Sequence, residues 1–228
     1  MKLPFDKVYC LHLAEDNERY ELIKTQLEQL GITDQVEFWY TVKKPLTTFL
    51  GEQVKTLKGD YYDCVKRSVP NVYGSLFDCC YNHYSIIKQA YVRGLNSILL
   101  FEDDCVFIED HFWKTLNALP ETWDIIKFHS SFLIFQNVDV PIFIGKNNEN
   151  SLVNTHNLSA LCYAMTRNGM KMIIDKYEEC FAPTDCILDD CIKHHPNNDN
   201  CYILAGNYLC NPAYGYGNKS NIVRNRKY

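Results

Sequence analysis

Residues 97–108 read SILLFEDDCVFI, in which three acids interrupt two apolar runs. The first run is short and rich in Ile, Leu and Phe, which predicts a buried strand at 96–101. Burying even one unpaired carboxylate costs several kcal/mol, so Glu102, Asp103 and Asp104 need either water or a positive partner. The stretch alone leaves two interpretations open, a solvated turn and a site that binds a cation.

The segments on both sides of this stretch alternate between strand and helix patterns. We predict strands at 6–13, 36–42, 96–101, 123–128 and 160–166, and one more after Tyr202. We predict helices within 14–31, where Asp16 or Asn17 would be the N-cap and Gly31 the stop, and at 76–94, 111–119, 167–177 and 185–195. Such alternation is typical of an α/β fold with a mostly parallel sheet. The three acids then lie at the carboxyl end of a strand, where open α/β sheets bind their ligands.

Two segments have no sustained period. Residues 43–72 read as loop with one short helix at most, and residues 136–157 read as a short hairpin with a polar, Asn-rich loop. No repeat or linker divides the chain, so we expect one domain over 1–228.

The composition is that of a soluble globular protein, with 46% hydrophobic and 22% charged residues. A formal net charge of -5 argues against a nucleic-acid-binding protein, which usually carries a basic face. Pro4, Asp6 and Lys7 interrupt the N-terminal apolar run, so we expect no signal peptide. No stretch approaches the roughly 20 apolar residues that span a bilayer. We therefore expect a cytoplasmic protein without a transmembrane segment.

The chain contains 11 cysteines, which we interpret most simply as free thiols that pack as small apolar side chains. Six residues of zinc-ligand type are close in sequence: Cys180, Cys186, Cys191, His194, His195 and Cys201. None of them forms a C-x-x-C pair, so the spacing does not favour a structural zinc site.

Three adjacent acids after a strand suit a hard cation such as Mn²⁺ or Mg²⁺, which prefers carboxylate oxygens. In an extended chain, residues 102 and 104 project to the same side. Glu102 and Asp104 would then face one ion while Asp103 turns elsewhere. Nucleases, phosphatases and nucleotide-sugar enzymes all use such acids, so the triplet alone does not choose between them.

The surroundings of the triplet resemble glycosyltransferase family 25, the lipooligosaccharide and collagen galactosyltransferase group. ILLFEDD is similar to the family's Glu-Asp-Asp signature after four apolar residues. The first strand and helix resemble the family's opening, a strand that ends Asn-Leu before an Arg-bearing helix start. His12 stands at the Asn position, and Leu13 and Arg19 match.

Further segments resemble the family in the same order along the chain. Cys79, Asn82 and His83 are similar to a Cys-x-x-Ser-His motif, with Asn in place of Ser. WDIIKF, LCYAMTRNGMKMII and APTDCIL are similar to a Trp-Asp strand, a Tyr-x-x-Ser-x-x-Gly-Ala segment and a Pro-x-Asp motif. Ser220 begins Ser-Asn-Ile where the family has Ser-Asp-Ile, and 43–72 aligns poorly.

The resemblance implies a GT-A type fold, a Rossmann-like α/β/α sandwich around a mostly parallel sheet. Residues 1–110 would form the nucleotide-sugar-binding half, and 111–228 the acceptor-side half and the C-terminal tail. It also implies metal-dependent, inverting transfer of a hexose of the galactose or glucose type. The donor would be a UDP-sugar, the cation Mn²⁺ or Mg²⁺, and the acceptor a glycan or a glycosylated protein.

The resemblance also implies roles for single residues. Asp104 would bind the metal directly with support from Glu102, and Asp103 would contact the ribose hydroxyls or the metal's water. The expected nucleotide- and cofactor-binding residues are Leu13, Arg19, His83, Glu102, Asp103 and Ser220. For His83 a second interpretation is open, a core histidine that hydrogen-bonds a strand end.

An inverting transfer needs a base for the acceptor hydroxyl, and Asp185 has the family's position for it. Asp185 also fits a helix N-cap, and Asp189 lies one turn later as the alternative base. The basic tail around Lys219 and Arg224 would either close over the diphosphate or remain solvated. Two other functions are open: a non-catalytic nucleotide-sugar-binding protein that retains the fold, and a metal-dependent phosphoesterase.

Overall fold

The structure is a computed structural model that describes residues 2–41, 70–130, 139–145, 159–179, 182–196 and 200–213, without the side chains of 70–77 and 207. Its strands are β1 (Lys7–Leu13), β2 (Val36–Thr41), β3 (Ser97–Glu102), β4 (Cys105–Phe107), β5 (Ile125–Lys127), β6 (Phe143–Gly145), β7 (Cys162–Thr166), β8 (Cys201–Leu204) and β9 (Cys210–Pro212). Its helices are α1 (Asn17–Gln29), α2 (Pro70–Val92), α3 (Glu109–Asn117), α4 (Arg167–Glu179) and α5 (Thr184–Lys193). No helix in this part of the chain is both long and apolar enough to cross a membrane.

Seven strands form one sheet in the order β2-β1-β3-β7-β5-β8-β6. The pairings give β1, β2, β3, β5 and β8 a common direction, while β7 and β6 run against it. The carboxyl ends of those five strands therefore meet along one side, here named the carboxyl edge, and the opposite side is the amino edge. Glu102 ends β3 at the carboxyl edge.

Alternate residues of the central strands pack against helices on opposite faces of the sheet, as the pleat requires. One face packs against α2, α4 and α5 through Tyr9, Leu11, Ile98 and Leu100. The other face packs against α1 and α3 through Val8, Cys10, Leu99 and Phe101. These three layers form an α/β/α sandwich with a mostly parallel sheet, which confirms the predicted fold class.

The ends of α1 follow the signals in the sequence. The side chain of Asp16 caps the helix by accepting a hydrogen bond from the backbone N–H of Arg19 at 3.3 Å. Gly31 follows the helix with φ +67°, a left-handed conformation that glycine adopts without steric cost. Helix α2 begins at Pro70 instead of 76, and proline is favoured in the first turn because it lacks an N–H.

Two features of the sheets were not predicted. Strands β4 and β9 form a separate antiparallel ribbon that follows the acidic turn. Strand β6 pairs with β8, and most of the predicted hairpin and loop at 136–157 lies outside the described residues. Residues 43–69 also lie outside them.

Candidate active site

The acidic triplet lies at the carboxyl edge, where β3 gives way to a turn at 103–104. The backbone N–H of Asp103 donates to the carbonyl of Leu11 at 3.0 Å, and Ala213 donates to the carbonyl of Asp104 at 2.7 Å. The turn is thus fastened to β1 on one side and to the end of β9 on the other. The predicted extended geometry of 102–104 was therefore wrong, because the chain turns immediately after Glu102.

Asp103 is bound by protein groups at both of its carboxylate oxygens. Arg19 donates from Nη1 to Oδ1 at 2.8 Å, His12 Nδ1 lies 2.8 Å from Oδ2, and the N–H of Leu13 donates to Oδ2 at 3.3 Å. The side chain is 4% exposed. Asp103 therefore ties the end of β1 and the start of α1 to β3. Its expected contact with the nucleotide stays a prediction.

Arg19 pairs with two acids of the triplet. Its Nη2 lies 3.1 Å from Oδ2 of Asp104, while Nη1 holds Asp103, and its side chain is buried. One guanidinium thus offsets part of the repulsion between neighbouring carboxylates. The structure places Arg19 against the triplet, and nucleotide binding by Arg19 likewise stays a prediction.

Asp104 retains one carboxylate oxygen without a partner. Its Oδ1 is buried and accepts no hydrogen bond from any residue in the described part of the chain. Burial and the nearby charge of Glu102 raise the pKa of Asp104 to about 7, although Arg19 acts in the opposite direction. A buried oxygen that is orphaned beside a second acid fits a hard divalent cation, which would bind it and offset the repulsion. The chemistry of Asp104 is therefore compatible with the predicted Mn²⁺ or Mg²⁺, and joint binding of the ion with Glu102 stays a prediction.

Glu102 contacts His83, which belongs to the Cys-x-x-Asn-His segment of α2. His83 is fully buried in α2, with Nε2 at 3.3 Å from Oε1 of Glu102 and Nδ1 at 2.7 Å from the hydroxyl of Tyr163. The ligand-type atoms of Cys79, His83 and Glu102 all lie within 4.8 Å of one another. His83 thus has the geometry of a core histidine that holds a strand end, while Glu102 remains partly open to solvent.

Asp185 lies in the first turn of α5, where Pro183 occupies the N-cap position. The interpretation of Asp185 as the N-cap was therefore wrong, because the helix begins one residue before it. The side chain is half-buried. The pKa of Cys79 is raised mainly by burial. The negative charges of Glu102, Asp185 and Asp104 raise it further. The fold thus brings Asp185 and the triplet to the same thiol.

Asp189 and Lys127 form a second group of charges beside Asp185. Asp189 is buried, and its Oδ2 accepts from the ammonium of Lys193 at 2.8 Å. Lys127 ends β5 and is fully buried, and burial lowers its pKa to about 8 while Asp185 and Asp189 oppose that shift. The sequence analysis missed Lys127. The available signal was a single lysine at the carboxyl end of the apolar strand WDIIKF.

Other predicted residues are separated from this site or not described. Ser220, Lys219 and Arg224 lie outside the described residues. The described cysteines form no disulfide with one another. The segment 180–201 contributes to neither of the two convergent groups of metal-ligand type that the described residues form.

Comparisons with known proteins find curated relatives of this chain. No family model matches the chain. The human protein named inactive glycosyltransferase 25 family member 3 is 29% identical over 136 residues, which are 55% of this chain and 22% of that protein. Procollagen galactosyltransferase 1-A of Xenopus laevis is 27% identical over 210 residues, which are 87% of this chain and 33% of that protein.

The chain thus spans between a fifth and a third of the length of these curated relatives. Among solved structures, a glycosyltransferase involved in glycosylation of the major capsid of PBCV-1 gives a TM-score of 0.36 at 9% identity. That alignment covers 83% of this chain and 67% of the other.

Proposed function

We propose that this chain, which is related to glycosyltransferase family 25, is a metal-dependent inverting glycosyltransferase. It would move a hexose of the galactose or glucose type from a UDP-sugar to a glycan or a protein-linked acceptor. The observation that carries the proposal is the buried, unpartnered Oδ1 of Asp104 beside Glu102. This pair lies at the carboxyl edge, where α/β sheets bind ligands.

Asp104 and Glu102 would hold Mn²⁺ or Mg²⁺. When bound, the ion would stabilise the negative charge that develops on the nucleoside diphosphate leaving group. Arg19 fixes the other oxygen of Asp104 at 3.1 Å, so the orphaned oxygen is held in one orientation. Such fixed geometry is what distinguishes a binding site from a loose acidic turn.

The nucleotide would lie along the ends of β1 and β2. The Asp103 network holds the end of β1 in place through His12 and Leu13. Tyr40, near the end of β2, is 58% exposed and packs against His12 with ring centroids 5.7 Å apart. An exposed aromatic face at this edge offers a stacking surface for a uracil ring. We therefore place the base at Tyr40 and the diphosphate toward Asp104.

Asp185 would act as the general base. In an inverting transfer, the acceptor hydroxyl loses its proton to the carboxylate while its oxygen bonds to the anomeric carbon and the nucleoside diphosphate leaves. Asp185 is half-buried, whereas Asp189 is buried and paired with Lys193. The more accessible carboxylate is better placed to reach an acceptor. The charge of Lys127 interacts with both acids and would help to hold them in place.

The test is a panel of UDP-sugars assayed for UDP release with and without Mn²⁺. We expect release with at least one hexose donor, dependence on the metal, and loss of release in Asp104→Ala. Asp110→Ala, which changes an exposed acid, serves as the matched control and should retain the activity. Metal-independent release, or full activity of Asp104→Ala, would refute the proposed metal site.

One observation favours a second function. The human relative and two rodent relatives carry the word inactive in their names. A non-catalytic protein that binds nucleotide sugars would still bind UDP with Mn²⁺ but would release no UDP from any donor. Binding without turnover across the whole donor panel would therefore favour this alternative.

A further inference from the structure

Three buried thiols converge at a second place in the molecule. Cys105, Cys162 and Cys210 belong to β4, β7 and β9, and their side chains are almost completely inaccessible to solvent. Their Sγ atoms all lie within 4.8 Å of one another. We name these residues the thiol cluster. Because the three residues are far apart in sequence, only the tertiary fold assembles the cluster.

The strand register explains how the cluster forms. In the β4–β9 ribbon, Cys105 lies opposite Pro212 and Cys210 lies opposite Phe107. The two cysteines are therefore diagonal neighbours on the same face of the ribbon. Cys162 begins β7 in the main sheet, beside Phe101 of β3. The cluster thus lies where the ribbon packs against the main sheet.

A buried histidine of the described residues lies within electrostatic range of the cluster. His129 is 1% exposed, and its Nδ1 lies 2.7 Å from the hydroxyl of Ser159. Its charge acts on Cys210, but its ring nitrogens do not lie within 4.8 Å of all three sulfurs. Histidines that bind metals typically have the second ring nitrogen held by another protein group, and Ser159 provides such a group here.

The chemistry of these residues differs from that of the acidic triplet. Thiolates select soft or borderline ions such as zinc, whereas carboxylates select Mn²⁺ or Mg²⁺. Two sulfurs on one tetrahedral zinc lie about 3.8 Å apart, given a zinc–sulfur bond of about 2.3 Å. The separations in the cluster are compatible with that distance.

We propose that Cys105, Cys162 and Cys210 bind a structural zinc ion, and that His129 turns toward them to complete the four-coordinate site. The ion joins the ribbon to the main sheet. Cys105 directly follows Asp104, whose carbonyl accepts from Ala213 just after β9. The zinc site therefore also holds the turn that carries Asp104 in place. The proposal is independent of the transferase function, because it concerns the stability of this turn and not the reaction.

The first test measures metal content in the full chain, purified without chelators from zinc-supplemented medium. We expect about one zinc per chain, as in other structural sites of this type. Replacement with cobalt should give thiolate-to-cobalt charge-transfer bands in the near ultraviolet and strong visible bands of a tetrahedral ion. Excess Mn²⁺ should leave these bands unchanged. A chain without zinc that also gives no thiolate bands with cobalt would overturn the proposal, and this measurement needs no variant.

The second test compares Cys162→Ser with Cys201→Ser, because Cys201 is equally buried but lies outside the cluster. Only the first variant should lose the charge-transfer bands, with near-native circular dichroism in both. If Cys162→Ser does not fold, titration of the wild-type thiols with a mercurial should release the zinc as the cluster reacts. His129→Ala should weaken zinc binding but retain the thiolate bands. Bands that persist in Cys162→Ser, or zinc release unrelated to thiol modification, would contradict the assignment.

Discussion

Asp124 and Asp104, at opposite edges of the sheet, differ in how their oxygens are satisfied. At the amino edge, Asp124 accepts from the hydroxyl of Thr166 at 2.7 Å and from the amide of Asn200 at 3.2 Å. His195 Nε2 lies 3.2 Å from the same carboxylate. Asp124 is 5% exposed, and its neighbours provide a partner for each oxygen. Asp124 therefore has a structural role, because it connects neighbouring segments by hydrogen bonds.

Asp104, at the carboxyl edge, has a partner for only one oxygen. Burial and the charge of Glu102 raise its pKa to about 7. The side chain of Asp104 is 14% exposed and Asp124 is 5% exposed, so low exposure alone does not separate a functional acid from a structural one. The difference lies in the unpartnered oxygen and the neighbouring like charge, which together indicate a position for a cation.

The largest expected effect belongs to Asp185, the accessible acid at the carboxyl edge. Asp185→Asn should lower kcat by roughly 10²–10⁴-fold, because the amide cannot take a proton from the acceptor. The amide retains the size of the side chain, so the fold should be unchanged. Steady-state kinetics with the best donor provides the measurement. Asp190→Asn is the matched control, and equal activity of both variants would exclude Asp185 as the base.

Asp124 should matter for stability instead of for chemistry. Asp124→Ala leaves Thr166 and Asn200 without their common acceptor and removes the carboxylate beside His195, so we expect a loss of about 3–5 kcal/mol in the free energy of unfolding. Urea unfolding followed by circular dichroism measures this loss. Asp175→Ala removes an exposed acid that pairs with Lys171 and should change stability by about 0.5 kcal/mol or less. A loss below about 1 kcal/mol in Asp124→Ala would remove the contrast between the two edges.

Lys127 should make stability depend on pH. Its pKa is lowered from 10.5 to about 8 in the folded chain, so the unfolded chain binds more protons between these two values. The unfolding free energy of the wild type, relative to that of Lys127→Met, should therefore rise by up to about 3 kcal/mol as the pH increases through this range. Urea unfolding under reducing conditions gives this difference. The exposed Lys114→Met should give no such trend, and a flat difference for Lys127→Met would contradict the lowered pKa.

Local patterns in the sequence predicted most of the sandwich, because long apolar strands and amphipathic helices have clear periods. The same patterns placed the acids at the end of β3. The family resemblance is supported by curated relatives that are 27–29% identical. The ribbon was missed because β4 and β9 have three residues each, too few to establish an alternation.

The internal contacts of the site required the tertiary structure. Arg19 and His12 reach Asp103 across 84 and 91 positions of the sequence, and no local pattern indicates such pairs. The contacts of the segment LCYAMTRNG show its structural role. Tyr163 contacts His83 and Thr166 donates to Asp124. Gly169 packs so closely that a Cβ there would lie 2.1 Å from the carbonyl oxygen of Asp124. This segment therefore supports both edges of the sheet.

The central claim is that Asp104 at the carboxyl edge binds the cation that accompanies a uridine nucleotide. The most direct measurement is the melting temperature with UDP and Mn²⁺ together, at a pH above the Asp104 pKa of about 7. We predict a rise for the wild type, since a ligand at one hundred times its Kd contributes about 2.7 kcal/mol, and little or no rise for Asp104→Asn. An equal rise in both proteins, or no rise in the wild type, would contradict the claim.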